Sequence, residues 1–277
     1  MDTKFNLSHG WCPDVPDTRD FESSRFRDSQ KLLPHVDLRE EGLDFSCSSF
    51  SQSCSCAPVV LSLLDWSTRK WQGTSMTASA LFLHQMTLKL WGGGGAHGVS
   101  LRSTIKTLKR LGCPPERLYP SDTKWTNDNP PSPELFAFSK PYGELSYFRI
   151  DTWRTPRSSL VTTIRNCLST NTPCLLGFPI PSCLSTDASA TIPLDTSRGG
   201  TEGGTACIVL GYNDHHIVSP FIRCQTNSSK HQTHGAFLIK TCWGEHWGED
   251  GYGWLPFAYI ESSLARDIWF LAHPEWT

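Results

Sequence analysis

The chain has 277 residues, of which 38% are hydrophobic and 19% charged, with 11 Trp, 14 Phe and a formal net charge of −2. A chain of this length buries a sizeable core, as one large domain or two packed lobes, and its aromatic content excludes extended disorder. The near-neutral balance gives no electrostatic footprint for nucleic acid or an anionic membrane, and no apolar run reaches spanning length. The opening "MDTKFNLSHGWCPDVPD" lacks a signal-peptide core, so the expected location is intracellular and cytoplasmic. Eleven cysteines are present, an odd number, without a Cys-x-x-Cys pair or a His/Cys cluster at zinc spacing. Buried, reduced thiols are expected rather than a disulfide framework, with no metal and no cofactor.

Taken in chain order, "GWCPDVPDTRDF" is too rich in Pro and Asp for a helix or a central strand. It is expected to run extended over the surface, pinned by Trp11 and Phe21, ahead of "LPHVDLRE" and a Ser/Cys-rich loop from Phe45 to Ser55. "APVVLSLLDWSTRKW" has helical spacing, and Pro58 fits only a first turn, which sets Cys56 at or beside the helix start. A second helix is predicted from Thr77 to Trp91, closed by "GGGG", whose own reading is a flexible connection. A third is predicted from about Ser100 to Leu111, with Leu101, Ile105, Leu108 and Leu111 on one face and Gly112 ending it. Residues 114–156 read as loop-rich, and "PRSSLVTTIRNCLST" as a further helix. The period then becomes strand-like in "TPCLLGFPI", "TACIVLGYND", "HHIVSPFI" and "GAFLIKTCW". Helices first and strands afterwards predict an α+β architecture of two lobes, with boundaries at 1–44 (extended segment), 45–165 (helical lobe) and 166–277 (β-rich lobe).

A Cys at a helix start, a helical lobe, a β lobe and "WGEHWGEDGYGWLP" together resemble the papain-like (C1) cysteine peptidases. The resemblance is greatest to their short, largely bacterial-type branch, through "GWCPDVPDTRDF", "LPHVDLRE", "GVSLRSTIKTLKRLGCPPERLYP" and the Trp-Gly pairs, and it extends from about Gly10 to Phe270. It implies a two-lobed papain-like fold with an antiparallel β lobe. The chemistry of such peptidases needs a thiol at a helix N-terminus, an imidazole beside it, an amide to orient the imidazole, and amide donors for the oxyanion.

Carried over residue by residue, the resemblance sets the nucleophile position on Cys56. The oxyanion Gln position, six residues upstream, falls on Phe50, while Gln52 is a candidate substitute on a shortened loop. The imidazole position falls on Thr205 in "GGTACIVLGY", and the Asn position on Thr241 in "IKTCWG". Among the histidines, His215 and His216 end the strand begun near Thr205, roughly 33 Å away at the extended rise. His234 lies seven residues before Thr241, roughly 23 Å along its strand at the same rise, His84 and His97 belong to the helical lobe, and His246 is the candidate rescuing base. Trp243, Gly244, Trp247 and Gly248 are expected to pack beneath the cleft.

Three functional readings stay open at this point. The first is a catalytically inactive pseudopeptidase, binding an unknown protein or peptide in the inter-lobe cleft or serving as a component of a larger assembly. The second is an active cysteine endopeptidase or thiol acyltransferase with a rearranged dyad such as Cys56 with His246. The third is a redox-responsive thiol pair at Cys54 and Cys56, for which the Cys-x-Cys ring is strained. The chain begins only about 55 residues before Cys56, which leaves no long inhibitory pro-segment of the lysosomal kind and favours inactivity.

Overall fold

The computed structural model describes residues 10–20, 32–41, 44–45, 47, 55–92, 98–123, 131–182, 184, 190–194, 201–218 and 233–276. In chain order they form β1 (His35–Asp37), α1 (Cys56–Gln72), α2 (Ala80–Trp91), α3 (Leu101–Leu111), α4 (Pro133–Ala137), β2 (Ser146–Arg149), α5 (Arg157–Ser169), β3 (Cys174–Pro181), β4 (Thr201–Val218), β5 (Thr233–Lys240), β6 (Tyr252–Pro256), α6 (Ala258–Glu261) and β7 (Arg266–Ala272). Three helices early in the chain and an antiparallel sheet built mostly from its second half make an α+β fold.

α1 is the central helix. Every residue from Cys56 to Ser67 is buried, so it is enclosed on all sides rather than amphipathic. Its one buried carboxylate is satisfied three ways: Asp65 pairs with Arg69 at 2.9 Å and accepts from the Met76 amide at 2.7 Å and the Ser75 hydroxyl at 3.0 Å. Trp66 stacks on Phe45 with ring centroids 4.9 Å apart.

α2 starts at Ala80 rather than at the expected Thr77. Residues 77–79 are drawn off as an extended pair with the 114–116 segment, through Ser79 N to Pro114 O at 2.9 Å and Glu116 N to Thr77 O at 2.9 Å. The Ser79 hydroxyl then caps the helix by accepting from Phe82 N at 3.1 Å. α3 runs where its periodicity predicts, with Ser100 as its N-cap, accepting from Ser103 N at 3.2 Å. Gly112 ends it at φ +70°, and a Cβ there would lie 2.1 Å from the Lys140 carbonyl oxygen.

The sheet has seven strands among the described residues, in the order β2-β7-β3-β4-β5-β6, with β1 also paired to β4. Two strands come from ahead of residue 165: β1 pairs with β4 and β2 with β7. The run "TACIVLGYND" and the opening of "HHIVSPFI" as far as Val218, expected as separate strands, are parts of one 18-residue strand, β4; the rest of the second run lies outside the described residues. Register shifts between Asn213 and Ile217 opposite β5 absorb the His215-His216 interruption without breaking it. Within β3 and β4, Phe178 faces Thr205 and Gly177 faces Ala206.

Because Gly112 combines a left-handed backbone with a carbonyl pressed against its α-carbon, Gly112→Ala is expected to cost more than about 1 kcal/mol. Urea denaturation of the two chains checks this. An unchanged midpoint would mean the α3 terminus tolerates a shifted 140 segment.

Candidate active-site groove

Cys56 is the first residue of α1, as its sequence position predicts, and is fully buried. The residue ahead of it does not cap the helix: Ser55 makes no side-chain bond to its own α1. Its hydroxyl instead accepts from Ala206 N at 3.0 Å, tying the start of α1 to β4 immediately beside Thr205. Thr205 is itself completely buried, and its hydroxyl reaches only the Ala206 carbonyl at 3.4 Å. The Cys56 Sγ–H donates to the Val99 carbonyl at 3.2 Å. A thiolate, having no hydrogen to give, would lose that contact.

Thr241 follows β5 and is buried; its hydroxyl accepts from Trp243 N at 3.4 Å and its amide donates to Gly251 O at 3.3 Å. Trp243 packs edge-on to Trp247 at 4.6 Å and to Phe178 at 6.2 Å, and Phe178 is the β3 partner of Thr205. The Trp-Gly loop thus forms the floor behind the Thr205 position. Gly248 and Gly251 take φ +62° and +80°, and a Cβ on Gly248 would lie 2.1 Å from the Tyr252 carbonyl oxygen. Gly244 has φ +89° in the same turn.

His246 lies on this loop but is exposed, and it makes no hydrogen bond or ion pair among the described residues. His84 is buried in α2, where desolvation lowers its pKa to about 4, so it is neutral at neutral pH. His216 stacks on Trp254 at 4.4 Å and meets the Thr191 hydroxyl at 3.3 Å, away from Cys56 along β4. Phe50, Gln52, Cys54, His97 and Phe21 lie outside the described residues. The eight described cysteines, Cys12, Cys47, Cys56, Cys113, Cys167, Cys174, Cys207 and Cys242, form no disulfide with one another. Burial pushes Cys113, Cys167, Cys174 and Cys207 well above the usual thiol range. Among the described residues no group of three or more His, Cys, Asp or Glu side chains could hold a metal.

The N-terminal segment is pinned by Trp11, as expected, and it is the pinned end that leaves the surface: Gly10, Trp11 and Asp14 are buried, while Pro13, Val15, Pro16, Thr18 and Arg19 are exposed. Gly10 N and Trp11 N both donate to the Gly204 carbonyl, at 3.0 and 3.1 Å. On the other side, Val99 N donates to Gly10 O at 2.8 Å and Cys12 N to Val99 O at 3.1 Å. Val99 O is therefore shared by Cys12 of this strap and by the Cys56 thiol. The Gly204 carbonyl and the Val99 amide and carbonyl are thus taken by the chain's own residues. Trp11 fills the remaining space against β3 and β4. A Cβ on Gly177 or Gly204 would come within 2.0 or 2.5 Å of its ring.

Beyond Trp11 the strap is held by a buried cluster of charge. Asp267 accepts from Trp11 Nε1 at 3.1 Å and from Asp14 N at 2.8 Å, and pairs with Arg149 at 2.7 Å. Asp14 accepts from Trp269 Nε1 at 2.8 Å and from Arg102 N at 3.2 Å. Arg102 pairs with Asp20 and donates to Val15 O at 2.6 Å, while Arg149 also pairs with Asp151 at 3.0 Å. Four carboxylates, Asp14, Asp20, Asp151 and Asp267, share two guanidinium groups. Burial first, and the Asp14 charge second, raise Asp267 to about 7. Sequence reasoning missed this cluster. The Asp and Trp spacing of "GWCPDVPDTRDF" was its only signal, because Arg149 and Asp267 come from distant segments.

The fold is shared with solved cysteine proteases. Xylellain, a cysteine protease from Xylella fastidiosa, is 24% identical, with 99% of this chain and 98% of that one covered and a TM-score of 0.72. The cysteine protease and lectin-like domains of Cwp84 from Clostridium difficile are 16% identical, covering 98% and 57%, at 0.67. A digestive procathepsin L 3 of Tenebrio molitor is 14% identical, covering 96% and 77%, at 0.57. In sequence, an uncharacterized peptidase C1-like protein of Acanthamoeba polyphaga mimivirus is 26% identical over 179 residues, 63% of this chain. The chain spans about half the length of that curated relative. No protein-family model matches. The fold is that of the papain-like cysteine proteases. Among the described residues no helix is long and apolar enough to cross a membrane.

Two expectations follow. Trp11→Ala should cost about 3–5 kcal/mol, the range for a buried Trp, and should make Cys56 alkylate faster with N-ethylmaleimide than in the parent chain. Denaturation and peptide mapping of the labelled thiol check both. The second concerns pH. A carboxyl whose pKa is raised in the folded state binds its proton more tightly there, so stability from Asp267 is full below about pH 4 and is lost as pH rises through about 7. Asp267→Asn should flatten the fall in unfolding free energy across that window; an identical slope in both chains would show that Asp267 does not titrate there.

Proposed function

We propose that this chain is a papain-fold protein without peptidase catalysis, acting by binding a protein or peptide or as a structural component of an assembly. The observation that carries this reading is a fully buried Cys56 thiol hydrogen-bonded to a carbonyl, tied through Ser55 and Ala206 to a strand bearing Thr205. Threonine has no group that takes up and returns a proton near neutral pH. Loss of the base from a comparable triad lowers kcat by about 10⁶-fold. Thr241 cannot replace an amide that both accepts and donates to orient a ring, and its hydroxyl is engaged with Trp243 N.

The strap adds to this reading. A peptide could lie along Val99 and Gly204 only if the Gly10–Cys12 bonds to those residues were given up. Recognition in the groove is therefore coupled to displacement of residues 10–12, while recognition elsewhere is not.

The test is a peptidase assay of the purified chain on a mixed peptide library at pH 5–8, with an epoxide thiol inhibitor followed by intact-mass analysis. No turnover that depends on Cys56 is expected. Cleavage abolished by Cys56→Ala, and sensitive to His246→Ala, would overturn the proposal in favour of a rearranged dyad.

A further inference from the structure

The helical side of the molecule carries a cavity that shares no lining residue with the groove. Its volume is about 670 Å³, within the roughly 300–1,000 Å³ range of small-molecule sites. One wall is the 75–78 segment ahead of α2. The opposite walls are residues 113–117 after α3 and residues 138–142 after α4. Most of its surface is apolar, from Met76, Ala78, Pro115, Phe138 and Tyr142. Phe138 is 58% exposed, an aromatic ring left in water beside an apolar recess.

Two cations line the same cavity, Arg117 and Lys140. Both are exposed, and neither side chain makes an ion pair or hydrogen bond among the described residues. The one carboxylate of the lining, Glu116, is turned into its own loop, where it accepts from Ser121 N at 2.6 Å. The cavity therefore joins a mostly apolar lining to two exposed cations whose charge is unmatched among the described residues.

The geometry points to a binding site for a small amphipathic anion: an apolar chain in the recess and a carboxylate head between Arg117 and Lys140. An extended peptide fits less well. The backbone along the 75–78 wall is already engaged, with Ala78 bridged to Pro115 and Thr77 O accepting from Glu116 N at 2.9 Å. The side of that segment facing residues 114–116 is therefore closed to β-addition. A head group held by two exposed cations also predicts binding that weakens as salt is raised.

Decanoate, titrated calorimetrically into the full chain below its micellar concentration, tests this. Saturable one-to-one binding is expected. The double variant Arg117→Glu/Lys140→Glu should weaken it about tenfold, the size of two exposed ion-pair losses. Phe138→Ala should weaken it severalfold through the apolar wall. All three substitutions are at exposed positions, and unchanged unfolding midpoints establish that the variants are folded. The proposal is overturned by no saturable binding, by equal binding of decyltrimethylammonium, or by a double variant that binds as the parent does. A peptide with an apolar, free C-terminus that saturates the site when decanoate does not would overturn it in favour of a protein partner. None of these outcomes depends on whether Cys56 is catalytic.

Discussion

Trp11 can sit against β3 and β4 only because residues 177 and 204 have no side chains. That close approach is the constraint on which the groove's state depends. With Trp11 seated, Gly10 and Trp11 reach the Gly204 carbonyl, Cys12 reaches Val99, and the space beside Cys56 is occupied by backbone. The burial of the Cys56 sulfur belongs to the same arrangement, since Cys12 and Cys56 share one acceptor. A thiol that is to attack a carbonyl needs to meet its substrate, and here the Cys56 side chain is fully buried.

The charge cluster behind Trp11 is unusual in its imbalance. Buried ion pairs offset their desolvation only when every oxygen and N–H finds a partner. Here the excess of carboxylates is met by neutral donors: two indole N–H groups and the backbone amides of Asp14, Arg102, Asp267 and Ile268. The two guanidinium groups also lie over the Trp269 ring, at 5.5 and 5.6 Å from its centroid. The result is a specific lock for the strap rather than a general hydrophobic contact, because only this spacing of Trp11, Asp14 and Asp20 satisfies it.

Local chemistry explains why some elements were readable. α3 shows its apolar positions at helical spacing, a Ser N-cap and a terminal glycine, all short-range signals that agree. The start of α1 at Cys56 was readable from Pro58 and the apolar run behind it. The start of α2 differs by three residues from its periodicity, because Thr77 and Ala78 pair with Glu116 and Pro115, beyond α3, and no local signal records that. β4 looked like two strands, since a His-His interruption reads as a break unless a neighbouring strand absorbs it as a register shift.

By itself the sequence determined which residues stand at positions 56, 205 and 241, a cysteine and two threonines, and the helix-then-strand order that makes an α+β fold. Those are properties of single positions and of local periodicity, which no folding event alters. Only the tertiary structure decided that Ser55 serves β4 instead of its own helix, that Arg149 and Asp267 meet Asp14, and that residues 10–12 lie in the groove and not on the surface. Each of these joins segments separated by up to most of the chain, through backbone carbonyls and buried charges whose partners are chosen by packing and not by sequence spacing.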